Sequence, residues 1–120
     1  MPCFVYAGIP VPSLELKTQW LDVFPAERVE MSCGVQGSSD WTYTWYRDGR
    51  ELGGGHISVS SGAERSSLII SSAKLEDAGT YTCRGQHRTR PVKTESSNNL
   101  ILIVHGEHSL SVAFYLIVHF

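Results

Sequence analysis

The chain has 120 residues, is 42% hydrophobic and 18% charged, and carries a formal net charge of −2. That length accommodates one domain with its own core, and that charge gives no overall bias toward nucleic acid or anionic membrane. We place the domain at residues 13–105, after an N-terminal extension (1–12) and before an apolar C-terminal tail (106–120). The extension is a poor secretory signal, and the tail has about half of the ~20 residues that cross a bilayer.

Short strands at regular spacing are predicted along the whole domain. In chain order they are a broken edge strand at 13–24, then strands at 29–33, 43–47, 51–52, 57–60, 66–71, 79–83 and 99–104. The segment between the last two strands, 84–98, is polar and basic and is predicted to be a loop. No helical period of useful length appears. This pattern is typical of an all-β sandwich.

The stretch "LEDAGTYTC" places Asp77, Gly79, Tyr81 and Cys83 at alternate positions. Asp77 can accept hydrogen bonds from local backbone N–H groups, and Gly79 can adopt backbone angles that other residues resist. Tyr81 and Cys83 then share one face of a strand, because side chains alternate with period 2. The stretch therefore predicts a turn that leads into a strand ending at a cysteine.

The chain has three cysteines, Cys3, Cys33 and Cys83, and no two of them form a C-x-x-C motif. The spacing argues against a zinc knuckle and against a thioredoxin-type redox site. The remaining interpretation is a Cys33–Cys83 disulfide, which would close a loop of about 50 residues. In the chain-entropy model such a bond stabilises the fold by roughly 4 kcal/mol. Such a bond predicts an oxidising compartment, and it leaves Cys3 without an assigned role.

The sequence contains no motif that points to catalysis. There is no Gly-x-Ser-x-Gly elbow and no phosphate-cradling loop, and the five histidines lack metal-ligand spacing. There is also no N-x-S/T sequon for an N-linked glycan. We therefore expect no enzyme activity, no metal and no cofactor.

Trp45 stands 12 positions after Cys33 and 38 before Cys83. Together with "DAGTYTC", this triple resembles an immunoglobulin domain over residues 13–105. The resemblance implies a two-sheet Greek-key sandwich in which one disulfide joins the sheets, Trp45 packs against it and the Tyr81 hydroxyl ties down a corner. About 30 residues separate Trp45 from Asp77, which leaves little room for the extra strands of a variable domain and favours a C2 or I type.

Within that superfamily the chain resembles Fc receptors, Fc receptor-like proteins and the leukocyte immune-type receptors of fishes. The resemblance rests on Trp20 between the first strands and on Cys83, Arg84 and Gly85 at the start of the last loop. It implies a non-catalytic recognition domain in the ectodomain of a plasma-membrane receptor built of tandem immunoglobulin domains. The implied partner is a protein ligand, with antibody Fc as one candidate.

The candidate ligand contacts lie in predicted loops: Trp41, His56, Arg84, His87, Arg88 and Arg90. An aromatic side chain on an exposed loop can anchor an interface, although Trp41 can equally lie beneath its own loop. The basic loop, which also includes Lys93, can steer an acidic partner, or can simply keep a sheet edge solvated. Nucleic acid is not expected, because no aromatic residue is interleaved to stack bases.

Two alternatives remain open. Ile101 and Ile103 are predicted to point outward from the last strand, which favours a structural or adhesive module that spaces its parent or forms a weak homodimer. An intracellular muscle-type I domain would instead keep Cys33 and Cys83 as buried free thiols.

Overall fold

The computed structural model describes residues 8–106, which form nine strands and one short 3-10 helix. The strands are β1 (Ser13–Leu16), β2 (Asp22–Val23), β3 (Val29–Gly34), β4 (Trp41–Arg47), β5 (Arg50–Glu51), β6 (Ile57–Ser61), β7 (Arg65–Ile70), β8 (Gly79–His87) and β9 (Leu100–Val104). The 3-10 helix, Leu75–Asp77, leads into β8. Cys3, to which the sequence assigns no role, and most of the apolar tail lie outside the described residues.

The strands form two sheets that face each other across the core. One sheet has the order β1-β3-β7-β6 and the other the order β2-β9-β8-β4-β5. All pairs are antiparallel except β2 with β9. Only the two-residue β5 extends the second sheet beyond β4 in the described part of the chain, where a variable-type domain has two strands. The predicted all-β, two-sheet sandwich is confirmed.

The Cys33–Cys83 disulfide joins the sheets through β3 and β8, with sulfur atoms 1.99 Å apart. Trp45 lies opposite Cys83 on β4, and both side chains are buried in the common core. The indole Nε1 of Trp45 donates a hydrogen bond of 2.9 Å to Ser66 Oγ on β7 of the other sheet. Ser66 Oγ in turn donates to the Ser60 carbonyl, so the indole is held by both apolar packing and a satisfied polar contact.

The corner before β8 is built around Asp77, whose carboxylate is fully buried. The Tyr81 hydroxyl donates a 2.5 Å hydrogen bond to the Asp77 carbonyl, which is the geometry of a tyrosine corner. Burial raises the pKa of Tyr81, although hydrogen bonding and charge from Arg47 oppose the rise. Gly79 has φ of 152°, and a Cβ there would stand 2.7 Å from Asp48 Oδ2, so the corner requires glycine.

The prediction of a loop from residue 84 onward is wrong at its start, because β8 continues to His87. Trp41, predicted in a loop, is the first residue of β4 and pairs with His87 across the two strands. The reason is that one face of this strand end is solvent-exposed and polar while the other packs on aromatic residues of β4. The polar composition of residues 84–87 therefore does not indicate a strand, because this strand end forms by pairing with β4.

Candidate functional site

The basic residues are concentrated on a β-hairpin at one end of the second sheet, residues 84–93, which we call the basic hairpin. Its first arm is the end of β8, and its second arm is pinned back by His87 N to Val92 O at 2.8 Å. Below the hairpin, Thr94 N donates to Gly85 O at 2.9 Å. Lys93 forms an antiparallel bridge with Gln86, which places the two side chains on the same face.

Two arginines of the basic hairpin, one on β8 and one just beyond its end, are held by backbone carbonyls. Arg84 Nε donates to Thr94 O at 2.7 Å, and Arg88 Nε donates to Ser39 O at 2.7 Å. Both side chains are exposed. No Nη atom of either guanidinium forms a hydrogen bond within residues 8–106. The outer edge of each guanidinium is therefore presented to solvent in a fixed position.

The basic hairpin also lacks carboxylate partners. Elsewhere, four cationic side chains each have a carboxylate oxygen within 4.0 Å: Lys17, Arg28, Arg47 and Arg65. In the described chain, no carboxylate lies that close to Arg84, Arg88, Arg90 or Lys93. Residues 84–93 contain no acidic residue at all. The hairpin thus concentrates uncompensated positive charge on a protein of net negative charge, which is the field that attracts an acidic partner.

Trp41 supports the basic hairpin from the core side and is only 6% exposed. Its ring meets the His87 ring edge-on, with centroids 5.0 Å apart. His87 Nδ1 accepts hydrogen bonds from the backbone N–H groups of Thr89 and Arg90, both at 3.2 Å. Trp41 and His87 therefore shape the hairpin tip, and little of the indole remains for a ligand to contact.

His56 lies at the opposite end of the sandwich. Its Nε2 is 2.8 Å from both carboxylate oxygens of Asp77, and Lys74 N donates to Asp77 Oδ2 at 2.8 Å. Asp77 precedes β8 and the tip of the basic hairpin follows it, so the nine-residue strand separates His56 from the hairpin tip by roughly 30 Å. The structure does not bring His56 together with the other candidate contacts.

Sequence reasoning missed the features that hold the arginines. The anchors are main-chain carbonyls of Thr94 and Ser39, which carry no residue-specific signal. The sequence predicts Lys93 as part of the charge cluster, but its bridge to Gln86 depends on the hairpin pairing. One signal could have indicated a hairpin rather than an open loop: polar stretches of similar length lie on both sides of a tip formed by Thr89, Arg90 and Pro91.

A second exposed surface is the outer side of β9. Ile101 is 57% exposed and Ile103 is 52% exposed, while Leu102 between them is buried. At the same edge, the Phe24 ring lies 4.8 Å from the His105 ring, and Phe24 is also exposed. The prediction that both isoleucines point outward is confirmed by these exposures. They form a short apolar strip beside the chain's exit from the sheet.

Between residues 8 and 106 no three His, Cys, Asp or Glu side chains stand close enough to share a metal ion. No helix in that range has the length and apolar character needed to cross a membrane.

Comparison with known proteins identifies the family. The family model for the immunoglobulin domain matches residues 11–87. The chain is 30% identical to protein turtle homolog B of Homo sapiens over 98 residues, which cover 81% of the chain and 7% of that protein. It is 34% identical to cell adhesion molecule DSCAM of Gallus gallus over 56 residues, covering 47% of the chain and 3% of that protein. The chain thus spans less than a tenth of the length of these relatives.

Solved structures show the same fold. The titin I-band fragment I67–I69 superposes with a TM-score of 0.57 and 26% identity, covering 78% of this chain and 32% of the fragment. The M1 domain of titin superposes with a TM-score of 0.57 and 22% identity, covering 71% of this chain and 87% of that domain. With the disulfide, the tyrosine corner and the two-sheet topology in place, the chain belongs to the immunoglobulin domain family.

Proposed function

We propose that this domain is a non-catalytic recognition module in the extracellular part of a cell-surface receptor and binds an acidic protein ligand through the basic hairpin. The observation that carries the proposal is the pair of anchored arginines, Arg84 and Arg88, whose Nη atoms face solvent without a carboxylate partner. Arginine in that state is suited to bidentate contact with carboxylates. Immunoglobulin domains are generally non-catalytic, which agrees with the absence of a catalytic motif.

The extracellular placement is supported by the Cys33–Cys83 disulfide, since such bonds persist in oxidising compartments. Among the relatives are a protein named a cell adhesion molecule and another named a membrane-bound isoform of pro-neuregulin-2. The finer assignment, an Fc receptor-like leukocyte receptor that binds antibody Fc, is supported by the resemblance at Trp20 and at Cys83, Arg84 and Gly85. Neighbouring immunoglobulin domains of the same receptor are further partners under this proposal.

The test of the proposal is charge reversal on the hairpin. Arg84→Glu, Arg88→Glu is expected to lower the association rate with antibody Fc about tenfold or more at physiological salt, because steering by the hairpin field is reversed. The measurement is surface-plasmon resonance on the oxidised chain. The matched control is Arg50→Glu, Lys74→Glu, which changes the net charge equally at two exposed cations outside the hairpin.

Saturable Fc binding that is weakened by the hairpin variant and retained by the control supports the proposal. Equal binding by both variants contradicts the hairpin as the contact surface. Absence of saturable binding at about 100 μM Fc, near the weak end of specific protein recognition, contradicts the Fc assignment. That last outcome favours the second candidate.

The second candidate is an adhesive or structural module that self-associates weakly through the strip at Ile101 and Ile103. Their exposure on one side of β9 favours it, because adjacent exposed β-branched residues on a strand are suited to an isologous contact. Ile101→Lys, Ile103→Lys is then expected to abolish any concentration-dependent rise in mass in sedimentation equilibrium. Val11→Lys, at a similarly exposed apolar residue, serves as control. A wild-type chain that stays monomeric at about 1 mM, the limit of weak association, contradicts this candidate.

A further inference from the structure

The basic hairpin arranges its cations in a line along one strand. Arg84 and Gln86 point to the outer face of β8, and Arg88 continues that line beyond the strand end. Because a strand rises about 3.3 Å per residue, Arg84 and Arg88 stand roughly 13 Å apart along the chain. Lys93 lies beside Gln86 and therefore falls between them. The backbone positions of these three basic residues thus recur along the strand direction at intervals of roughly 6–7 Å, twice the rise per residue.

The line is held rigidly by hydrogen bonds within the hairpin. Gln86 Nε2 donates to Arg90 O, and Val92 N donates to the same carbonyl at 2.8 Å. Arg88 N donates to Asp40 O on the neighbouring loop at 2.8 Å, which ties the tip to the rest of the sheet end. The backbone positions of the basic residues are therefore set before a ligand arrives, and less ordering entropy is lost on binding.

Arg84 and Arg88 differ from Arg65, another arginine whose side chain is held by hydrogen bonds within the protein. All three nitrogen atoms of the Arg65 guanidinium donate inside the protein, to Ser13 and Ser32. At Arg84 and Arg88 only Nε is used, so each retains a pair of outward donors. Such a pair matches the two oxygens of a carboxylate.

The surroundings limit how a ligand can lie. The outer face beside the line is a shallow depression of about 310 Å³, bordered by threonines and Tyr46 of β4 and closed on the far side by Glu51. A carboxylate placed across the sheet would meet Glu51, whereas the lining on the β8 side includes Arg84, Gln86 and Lys93 and no carboxylate. An acidic ligand is therefore directed parallel to the hairpin.

From this spacing we infer that the basic hairpin binds an extended acidic segment of its protein partner in which carboxylates alternate along the chain. In an extended peptide, side chains on one face recur every second residue, at the same interval of roughly 6–7 Å as the backbone positions of the three basic residues. Acidic residues at alternate positions of the peptide therefore contact Arg84, Lys93 and Arg88 in turn. The inference rests on the proposed function of the hairpin and names the chemistry of its partner.

The experiment is fluorescence anisotropy of the oxidised full chain with two labelled peptides of identical composition. In one, glutamate alternates with valine and threonine; in the other, the glutamates are contiguous. The alternating peptide is expected to bind about tenfold more tightly, and Arg84→Glu, Arg88→Glu is expected to remove that preference, while Arg50→Glu, Lys74→Glu keeps it.

Equal affinity for the two peptides, or no measurable binding of either, overturns the inference. A glutamate-bearing helical peptide that binds more tightly than the alternating peptide also overturns it, as does a heparin fragment that does so. Loss of Fc binding in the hairpin variant together with any of these results leaves the proposed function standing and removes only the extended acidic partner. A preference for the alternating peptide without Fc binding supports the inference and rejects only Fc as ligand.

Discussion

Cys33→Ala, Cys83→Ala is expected to lower the free energy of unfolding by roughly 4 kcal/mol. The disulfide closes a segment with a sequence separation of 50 residues, and in the chain-entropy model its main effect is to restrict the unfolded ensemble. A domain of this size has only about 5–15 kcal/mol of net stability, so the loss is a large share of the total. Urea denaturation followed by far-UV circular dichroism at neutral pH measures the change.

The control for this prediction is the wild-type chain with its disulfide reduced, which should unfold at the same urea concentration as the double variant. A double variant that is as stable as the oxidised chain would contradict a stabilising role for the bond. Intact mass under non-reducing conditions provides a second check, since a chain purified with two extra hydrogen atoms would match the alternative of an intracellular I domain with free thiols.

The fold could be predicted from the sequence because its determinants are local and residue-specific. Cys33, Trp45 and Cys83 have fixed spacings on strands with period-2 alternation, and Asp77, Gly79 and Tyr81 each perform a role that few other residues can. The structure places these side chains in one buried region. Local pattern and tertiary packing agree at these positions, which is why the sequence is informative there.

The candidate site could be predicted only in part, because its geometry depends on the main chain. A cluster of Arg84, Arg88 and Arg90 is visible in the sequence, but the hairpin that orders it forms through pairing with Trp41 and Tyr43 on β4. Trp41 itself was ambiguous, because an aromatic residue after a loop fits both an exposed anchor and the first residue of a strand. Long-range strand pairing decides between these, and a single sequence contains little information on it.

His56 illustrates the same limit for a single residue. It follows three glycines, so its environment cannot be inferred from neighbours in the chain. The structure places it on the buried carboxylate of Asp77, 21 positions away. His56 is therefore part of the corner that stabilises the fold. Its contact with Asp77 is made by long-range folding of the chain and not by a local sequence motif.

Trp45→Ala is expected to lower the free energy of unfolding by about 3–5 kcal/mol, the range for removing a large buried aromatic side chain. The indole is 1% exposed, lies opposite the disulfide and bridges to Ser66 in the other sheet. Its loss leaves a cavity where the sheets meet and deprives Ser66 Oγ of its donor. Urea denaturation again measures the effect, with the disulfide kept intact so that only packing changes.

Two further substitutions separate packing from hydrogen bonding. Ser66→Ala retains the indole but leaves its buried Nε1 without an acceptor, so we expect a smaller loss of about 1–3 kcal/mol. Trp20→Ala removes an indole that is 55% exposed and should change the free energy by less than about 0.5 kcal/mol. If Trp45→Ala cost no more than Trp20→Ala, the buried indole would have no measurable role in holding the two sheets together.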